Sequence, residues 1–227
     1  MIGESEPAGR RNQQHRVAVV DPHPVVRLGL TQLLDEASDL TLVGEAEDTD
    51  TALKRITTWQ PEVLTLELAL TGGNGLEMIK QLRTSQPEIK VLVLSGRDER
   101  LYAGRVLHAG AAGYIHKREP TEQILKAIRK VISGGIALSM STAEWMVQRA
   151  VQGEATQPSE QAAGLSDREL EVLELLGQGL GTAQIATRLS LSPKTVDTYR
   201  EHLKSKLDLK NSAELIRYAV WWSLQQT

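Results

Sequence analysis

The segment Val63–Gly75, VLTLELALTGGNG, places one carboxylate, Glu67, inside an apolar run and follows it with a glycine-rich loop. A buried carboxylate without a partner is costly, so the chain must either pair it or use it in chemistry. Elsewhere the spacings of common catalytic sites are missing. There is no cysteine, which removes disulfides, thiolate nucleophiles and cysteine-ligated zinc or iron–sulfur centres. The five histidines, His15, His23, His108, His116 and His202, are scattered and never take HExxH spacing. No GxxxxGK phosphate loop and no GxSxG elbow occurs. Gly72, Gly73 and Gly75 do not complete GxGxxG, and turn geometry is the expected reason for them. With no complete catalytic constellation, the chain reads as a non-enzyme.

The elements that must position Glu67 follow from apolar periodicity. The short runs Val17–Val20, Val63–Leu68 and Val91–Ser95 have the continuous apolar character of strands buried on both faces. Leu40–Glu47 and Gly113–Lys117 are weaker strand candidates. Amphipathic stretches alternate with them at Val25–Glu36, Asp50–Trp59, Gly75–Ser85, Asp98–Ala109 and Pro120–Ser133. Five strands alternating with five helices predict an α/β doubly wound, five-stranded parallel sheet, in which ligands gather at the carboxyl ends of the strands. After Gly135 the pattern becomes helical. Leu138–Gln152 predicts a linker helix, and Gly153–Gly164 is a polar, small-residue linker. Beyond it four helices are expected, the first opened by the capping box Ser166–Glu169 and another by Ser192 with Pro193 at its first position. The expected organisation is a loose tail at 1–15, a sheet domain at 16–135, linker at 136–164 and an all-α domain at 165–227. No segment is apolar for the length that spans a bilayer, and the polar start lacks a secretory core. The expected address is therefore the cytoplasm, with no membrane association.

The all-α half carries Arg168–Glu169, Val172–Leu173, Gly179, Gln184–Ala186, Leu189, the run LSPKTV at Leu191–Val196, and Lys206–Leu207. In this order and spacing it resembles the LuxR-type helix-turn-helix domain. The residues read the same way independently. A helix at Thr182–Leu189, a short turn and a longer helix at Pro193–Leu207 match a pair whose second member enters a major groove. Val196, Leu203 and Leu207 form an inward stripe, leaving Lys194, Asp197, Thr198, Glu201 and Lys204 mostly outward. From Arg188 to Lys210 six basic residues face three acidic ones, concentrating positive charge where phosphates of double-stranded DNA would lie. Lys194, Thr195, Arg200, Lys204 and Lys206 are candidate DNA-contact residues, the lysines and Thr195 suited to phosphates. Asp197, Thr198 and Glu201 stand where the resemblance places base readers. In the last helix Leu215, Ile216, Ala219 and Trp222 make one apolar stripe, which Tyr218 and Trp221 extend. The surplus is a candidate homodimer surface, with packing on the linker helix near Trp145 as the alternative.

Val17–Gly134 resembles the receiver domain of response regulators in the NarL/FixJ group, through VVDPHPVVRLGL, LVGEAED, VLTLELALTGGNGLEMIKQLR, VLVLS and AGAAGYIHK. That resemblance implies self-phosphorylation of an aspartate with magnesium, a pair of acids after the first strand, a hydroxyl after the fourth and a lysine after the fifth. Asp21, Ser95 and Lys117 match, and Tyr114 matches the aromatic that moves with the switch. Pro22 stands in place of the second acid, Glu67 in place of the phosphoacceptor aspartate, and Thr71 in place of the usual proline. Losing a carboxylate weakens an octahedral magnesium site. The extra methylene moves the acceptor oxygen by roughly 1 Å, an error that can cost about a hundredfold in rate. No cofactor is therefore expected, and magnesium binding should be weak or absent. Two roles for Glu67 stay open: a phosphate mimic held towards Ser95 and Lys117, or a structural ion pair with Lys117. Asp21 is open to a simpler role as cap of the first helix.

These readings combine into a sequence-specific DNA-binding transcription regulator, an atypical response regulator controlled without aspartyl phosphate. A protein or small-molecule input at the receiver-like half is allowed. The alternatives are a conventionally phosphorylated two-component regulator and a protein-interaction module that has abandoned DNA.

Overall fold

The computed structural model describes residues 14–70, 74–152, 164–189 and 191–225. The expectations for the tail at 1–13, for Thr71–Gly73, for the linker at 153–163 and for Ser190 fall outside the described residues.

Five parallel strands, β1 (His15–Val20), β2 (Leu40–Ala46), β3 (Val63–Leu66), β4 (Lys90–Ser95) and β5 (Gly113–His116), lie in the order β2-β1-β3-β4-β5. Five helices alternate with them: α1 (Pro24–Asp35), α2 (Thr49–Trp59), α3 (Gly75–Ser85), α4 (Glu99–Ala109) and α5 (Thr121–Ile132). The doubly wound sheet is therefore as expected. Strand parity explains its two cores. Val17, Val19, Leu92, Leu94 and Ile115 face α1 and α5, where Leu30, Leu34, Ile124 and Ile128 cover them. Ala18, Val20, Leu64, Leu66, Val93 and Tyr114 face α2, α3 and α4.

β3 ends at Leu66 rather than Leu68, so Glu67 is the first residue beyond the strand. Its N–H still donates to the Val20 carbonyl at 2.9 Å, which holds it at the sheet's mouth. Gly75 also differs from its expected role. It opens α3 without a left-handed dihedral, and an added Cβ would lie 2.8 Å from the Glu67 carbonyl oxygen. Glycine is needed there for close approach of backbone to backbone.

The helical half begins with α6 (Met140–Gln152), followed by α7 (Asp167–Gly177), α8 (Thr182–Leu189), α9 (Pro193–Lys206) and α10 (Ser212–Gln225). Both parts of the capping box are made: Glu169 N–H donates to Ser166 Oγ, and Ser166 N–H donates to Glu169 Oε2. Ser192 Oγ caps α9 by accepting from Thr195 N–H at 3.1 Å. Val196, Leu203 and Leu207 are buried, as the inward stripe requires, and meet Leu173, Ile185, Leu215 and Trp222 in one core. The apolar stripe of α10 needs one correction. Leu215, Ala219 and Trp222 are buried, but Ile216 is 45% exposed because it lies one position off that face. Among the described residues no helix is long and apolar enough to cross a membrane.

Candidate functional site: a closed carboxylate pocket and an open recognition helix

The carboxyl ends of β1, β3, β4 and β5 bring Asp21, Glu67, Ser95 and Lys117 together, beside the point where the strand order reverses. Glu67 and Asp21 are 4% and 2% exposed, so both carboxylates need partners within the protein. Glu67 Oε1 accepts from the Ser95 hydroxyl at 2.5 Å and from the Ala69 N–H at 3.0 Å. Its Oε2 lies 2.6 Å from Lys117 Nζ. Lys117 bridges to Asp21 Oδ2, also at 2.6 Å. Asp21 Oδ1 accepts from the His23 N–H at 2.9 Å, with His23 Nδ1 2.8 Å away. The α1 N-cap position belongs to His23, so Asp21 is not the helix cap but a wall of the pocket. Burial alone would push the Glu67 carboxyl upward. The Ala69 N–H, Lys117 ammonium and Ser95 hydroxyl outweigh it and hold the group below the usual carboxylate range.

This donor set does not fit a magnesium site. Every oxygen of Glu67 and Asp21 is already engaged, Pro22 supplies no carboxylate, and the Lys117 ammonium sits between the two acids where a cation would compete. Among the described residues no cluster of three metal-ligating side chains is found. Tyr114 is fully buried behind the pocket, and its hydroxyl donates to the Arg97 carbonyl at 2.8 Å.

The second site is the outer face of α9. Fourteen residues give a helix about 21 Å long, more than the width of a major groove. Lys194, Asp197, Thr198 and Glu201 are exposed along it. Other candidates also have partners within the protein. Arg200 donates to Thr182 Oγ1 at 2.6 Å, and that hydroxyl donates to Asp197 Oδ1 at 3.2 Å. Lys204 is only 18% exposed and pairs with Glu201 at 2.9 Å. Lys206 donates to Glu169 at 2.7 Å, joining the α7 cap while its side chain stays exposed. The Thr195 hydroxyl lies 2.8 Å from Ser192 Oγ at the helix start. These contacts partly offset the negative charge of Asp197 and Glu201. On α10, Tyr218 is half-buried and Trp221 is 50% exposed, their rings 5.8 Å apart.

A parallel sheet with functional groups at its strand ends, followed by a helix-turn-helix, defines a two-domain regulator, and comparison with known proteins agrees. Residues 17–129 match the response regulator receiver domain, and residues 163–219 match the luxR family of bacterial regulatory proteins. The oxygen regulatory protein NreC of Staphylococcus aureus is 35% identical over 209 residues, covering 90% of this chain and 96% of NreC. NreC of Staphylococcus epidermidis is 35% identical over 210 residues, with the same coverage of 90% and 96%. The chain belongs to the two-component response regulators that join a receiver to a luxR-family DNA-binding domain, and is a transcription regulator of that type. RcsB of Salmonella typhimurium shares the fold at a TM-score of 0.74 and 24% identity, over 92% of this chain and 98% of RcsB. A second RcsB structure, from Salmonella enterica serovar Typhimurium on the rprA promoter with phosphomimetic BeF3-, gives 0.71 at 23% identity over 92% and 99%.

Several residues at the junction of the halves were not anticipated from sequence. Arg97 and Tyr102 meet Glu174, while Lys80 and Arg105 meet Asp167 at 3.1 and 2.9 Å. The available signal was faint: Asp167, Glu171 and Glu174 recur at i, i+4 and i+7 on α7, an acidic stripe in which Glu171 pairs locally with Arg168 at 2.8 Å.

Proposed function

We propose that this protein is an atypical response regulator that binds duplex DNA through α9 and is controlled without aspartyl phosphorylation. The observation that carries the reading is the saturation of Glu67. A hydroxyl, a backbone N–H and an ammonium, the donor types that would stabilise an added phosphoryl group, are all taken up by its own carboxylate. Glu67 thus stands in place of the modification, keeping Ser95 drawn in and Tyr114 buried. With no free carboxylate oxygen and no second acid for magnesium, in-line attack on a phosphodonor has neither nucleophile nor metal support. Control then enters through a protein or small molecule at the receiver half. Lys194 with Thr195 contacts phosphate, and Asp197, Thr198 and Glu201 face base edges. Ile216, Val220, Trp221 and Leu224 leave an apolar strip on α10 that a second copy of the chain covers.

The test is titration of a duplex selected from random DNA, at rising salt, with and without acetyl phosphate and magnesium. The expected result is an affinity that falls linearly with log salt and is unchanged by the phosphodonor. Flat salt dependence removes DNA binding. A phosphodonor-dependent affinity removes phosphate independence.

A further inference from the structure

We propose that Arg97 is a positioning residue that transmits the state of the Glu67 pocket to the DNA-binding half, holding that half docked with its recognition face open. The proposal rests on the reading of Glu67 given above and extends it to a physical connection.

Arg97 is joined to the pocket through its backbone and to the other domain through its side chain. Its N–H donates to Ser95 Oγ at 3.4 Å, the hydroxyl that Glu67 holds. Its carbonyl accepts from Tyr114 at 2.8 Å. Its guanidinium donates to the Tyr102 hydroxyl at 3.0 Å, lies 5.2 Å from the Tyr102 ring centre and pairs with Glu174 on α7. Tyr102 also donates to Glu174. A second anchor lies alongside: Arg105 donates to Asp167 Oδ1 at 2.9 Å and to the Leu165 carbonyl at 2.7 Å, and Lys80 reaches Asp167 at 3.1 Å. Three cations and a phenol on α3, α4 and the loop before α4 therefore grip two carboxylates on α7. Side-chain exposure of 9% at Glu174 and 23% at Arg97 makes this a largely desolvated pair, whose loss leaves a charge uncompensated.

The docking uses α7 and leaves α9 alone. Lys194, Asp197, Thr198 and Glu201 stay exposed while the halves are in contact. Moving Ser95 or Tyr114 would shift the Arg97 backbone at two hydrogen bonds, and the guanidinium with it. The pocket thereby sets where the recognition helix is presented.

Because the chain has no native cysteine, Thr58→Cys and Ala213→Cys place one spin label on each half, both at exposed positions. Distances are measured by double electron–electron resonance in labelled chains diluted with unlabelled protein, and DNA affinity is measured beside them. The parent should give one narrow distance. Arg97→Gln and Glu67→Ala should each broaden it, and should weaken DNA binding about tenfold with an unchanged salt slope, a coupling of usual size. The paired charge swap Arg97→Glu with Glu174→Arg should restore a narrow distribution, separating loss of the contact from loss of folding. A narrow distance in Arg97→Gln overturns the docking role. A narrow distance in Glu67→Ala with a broad one in Arg97→Gln overturns the transmission, as does tighter DNA binding in either variant. Failure of the underlying Glu67 reading is seen separately, as an acyl phosphate by intact mass in the unlabelled parent.

Discussion

Replacing Glu67 by glutamine tests the pocket by removing one charge and little volume. The amide oxygen of glutamine retains the bonds from Ser95 and Ala69. Its NH2 group then faces Lys117 donor to donor, in place of a charge-assisted contact of 2.6 Å. Breaking a buried ion pair costs about 3–5 kcal/mol when the survivor is left alone. Here Lys117 keeps Asp21 at 2.6 Å, so the expected loss is smaller, about 2 kcal/mol, as for a hydrogen bond to a charged group. The assay is urea unfolding followed by far-ultraviolet circular dichroism at a series of pH values. Because the folded pKa of Glu67 is depressed below its ordinary 4.5, its stabilisation is fully present above that value and is lost as pH falls through the lower folded value. The gap between parent and variant should thus be constant through neutral pH and close only in acid. A gap under about 0.5 kcal/mol at pH 7, the level of an ordinary surface substitution, would refute the reasoning. So would a gap that grows on acidification.

The other predictions concern the helical half and the lost chemistry. Lys194→Ala should weaken binding on every DNA sequence and lower the salt slope by about one, whereas Lys206→Ala should leave the slope intact and reduce stability through Glu169; fluorescence anisotropy and thermal melts separate the two. Trp221→Lys should shift sedimentation towards monomer without changing the melting of the helical half, and should weaken DNA binding through lost avidity. The double change Pro22→Asp with Glu67→Asp should restore a magnesium-dependent, base-labile phosphoryl adduct on treatment with acetyl phosphate, read by intact mass.

The sheet was legible because β1, β3 and β4 are short, nearly continuous apolar runs alternating with amphipathic stretches, and α3 was delimited from Gly75 to Ser85 by its periodicity. The meeting of Glu67, Ser95 and Lys117 was legible because all three stand at the carboxyl end of a strand in a parallel sheet, Ser95 as its last residue and the other two just beyond. The partners that Arg200 and Lys206 find within the helical half were hidden. A long cation finds a carboxylate or hydroxyl by three-dimensional proximity, and Lys206 lies 37 residues from Glu169. The junction of the halves was nearly hidden for the same reason: Tyr102 and Glu174 are 72 residues apart, and the acidic spacing on α7 does not say which cations it meets. Ile216 misled because a helical stripe one residue wide separates core from surface.

The central claim is that Glu67 occupies the place of a phosphoryl group and leaves no acceptor. Intact-mass measurement of the parent after acetyl phosphate and magnesium, beside the Pro22→Asp, Glu67→Asp variant as positive control, tests it most directly. An unmodified parent and a modified variant are the predicted outcome; a phosphoryl adduct on parent Glu67, abolished by Glu67→Ala, would contradict it.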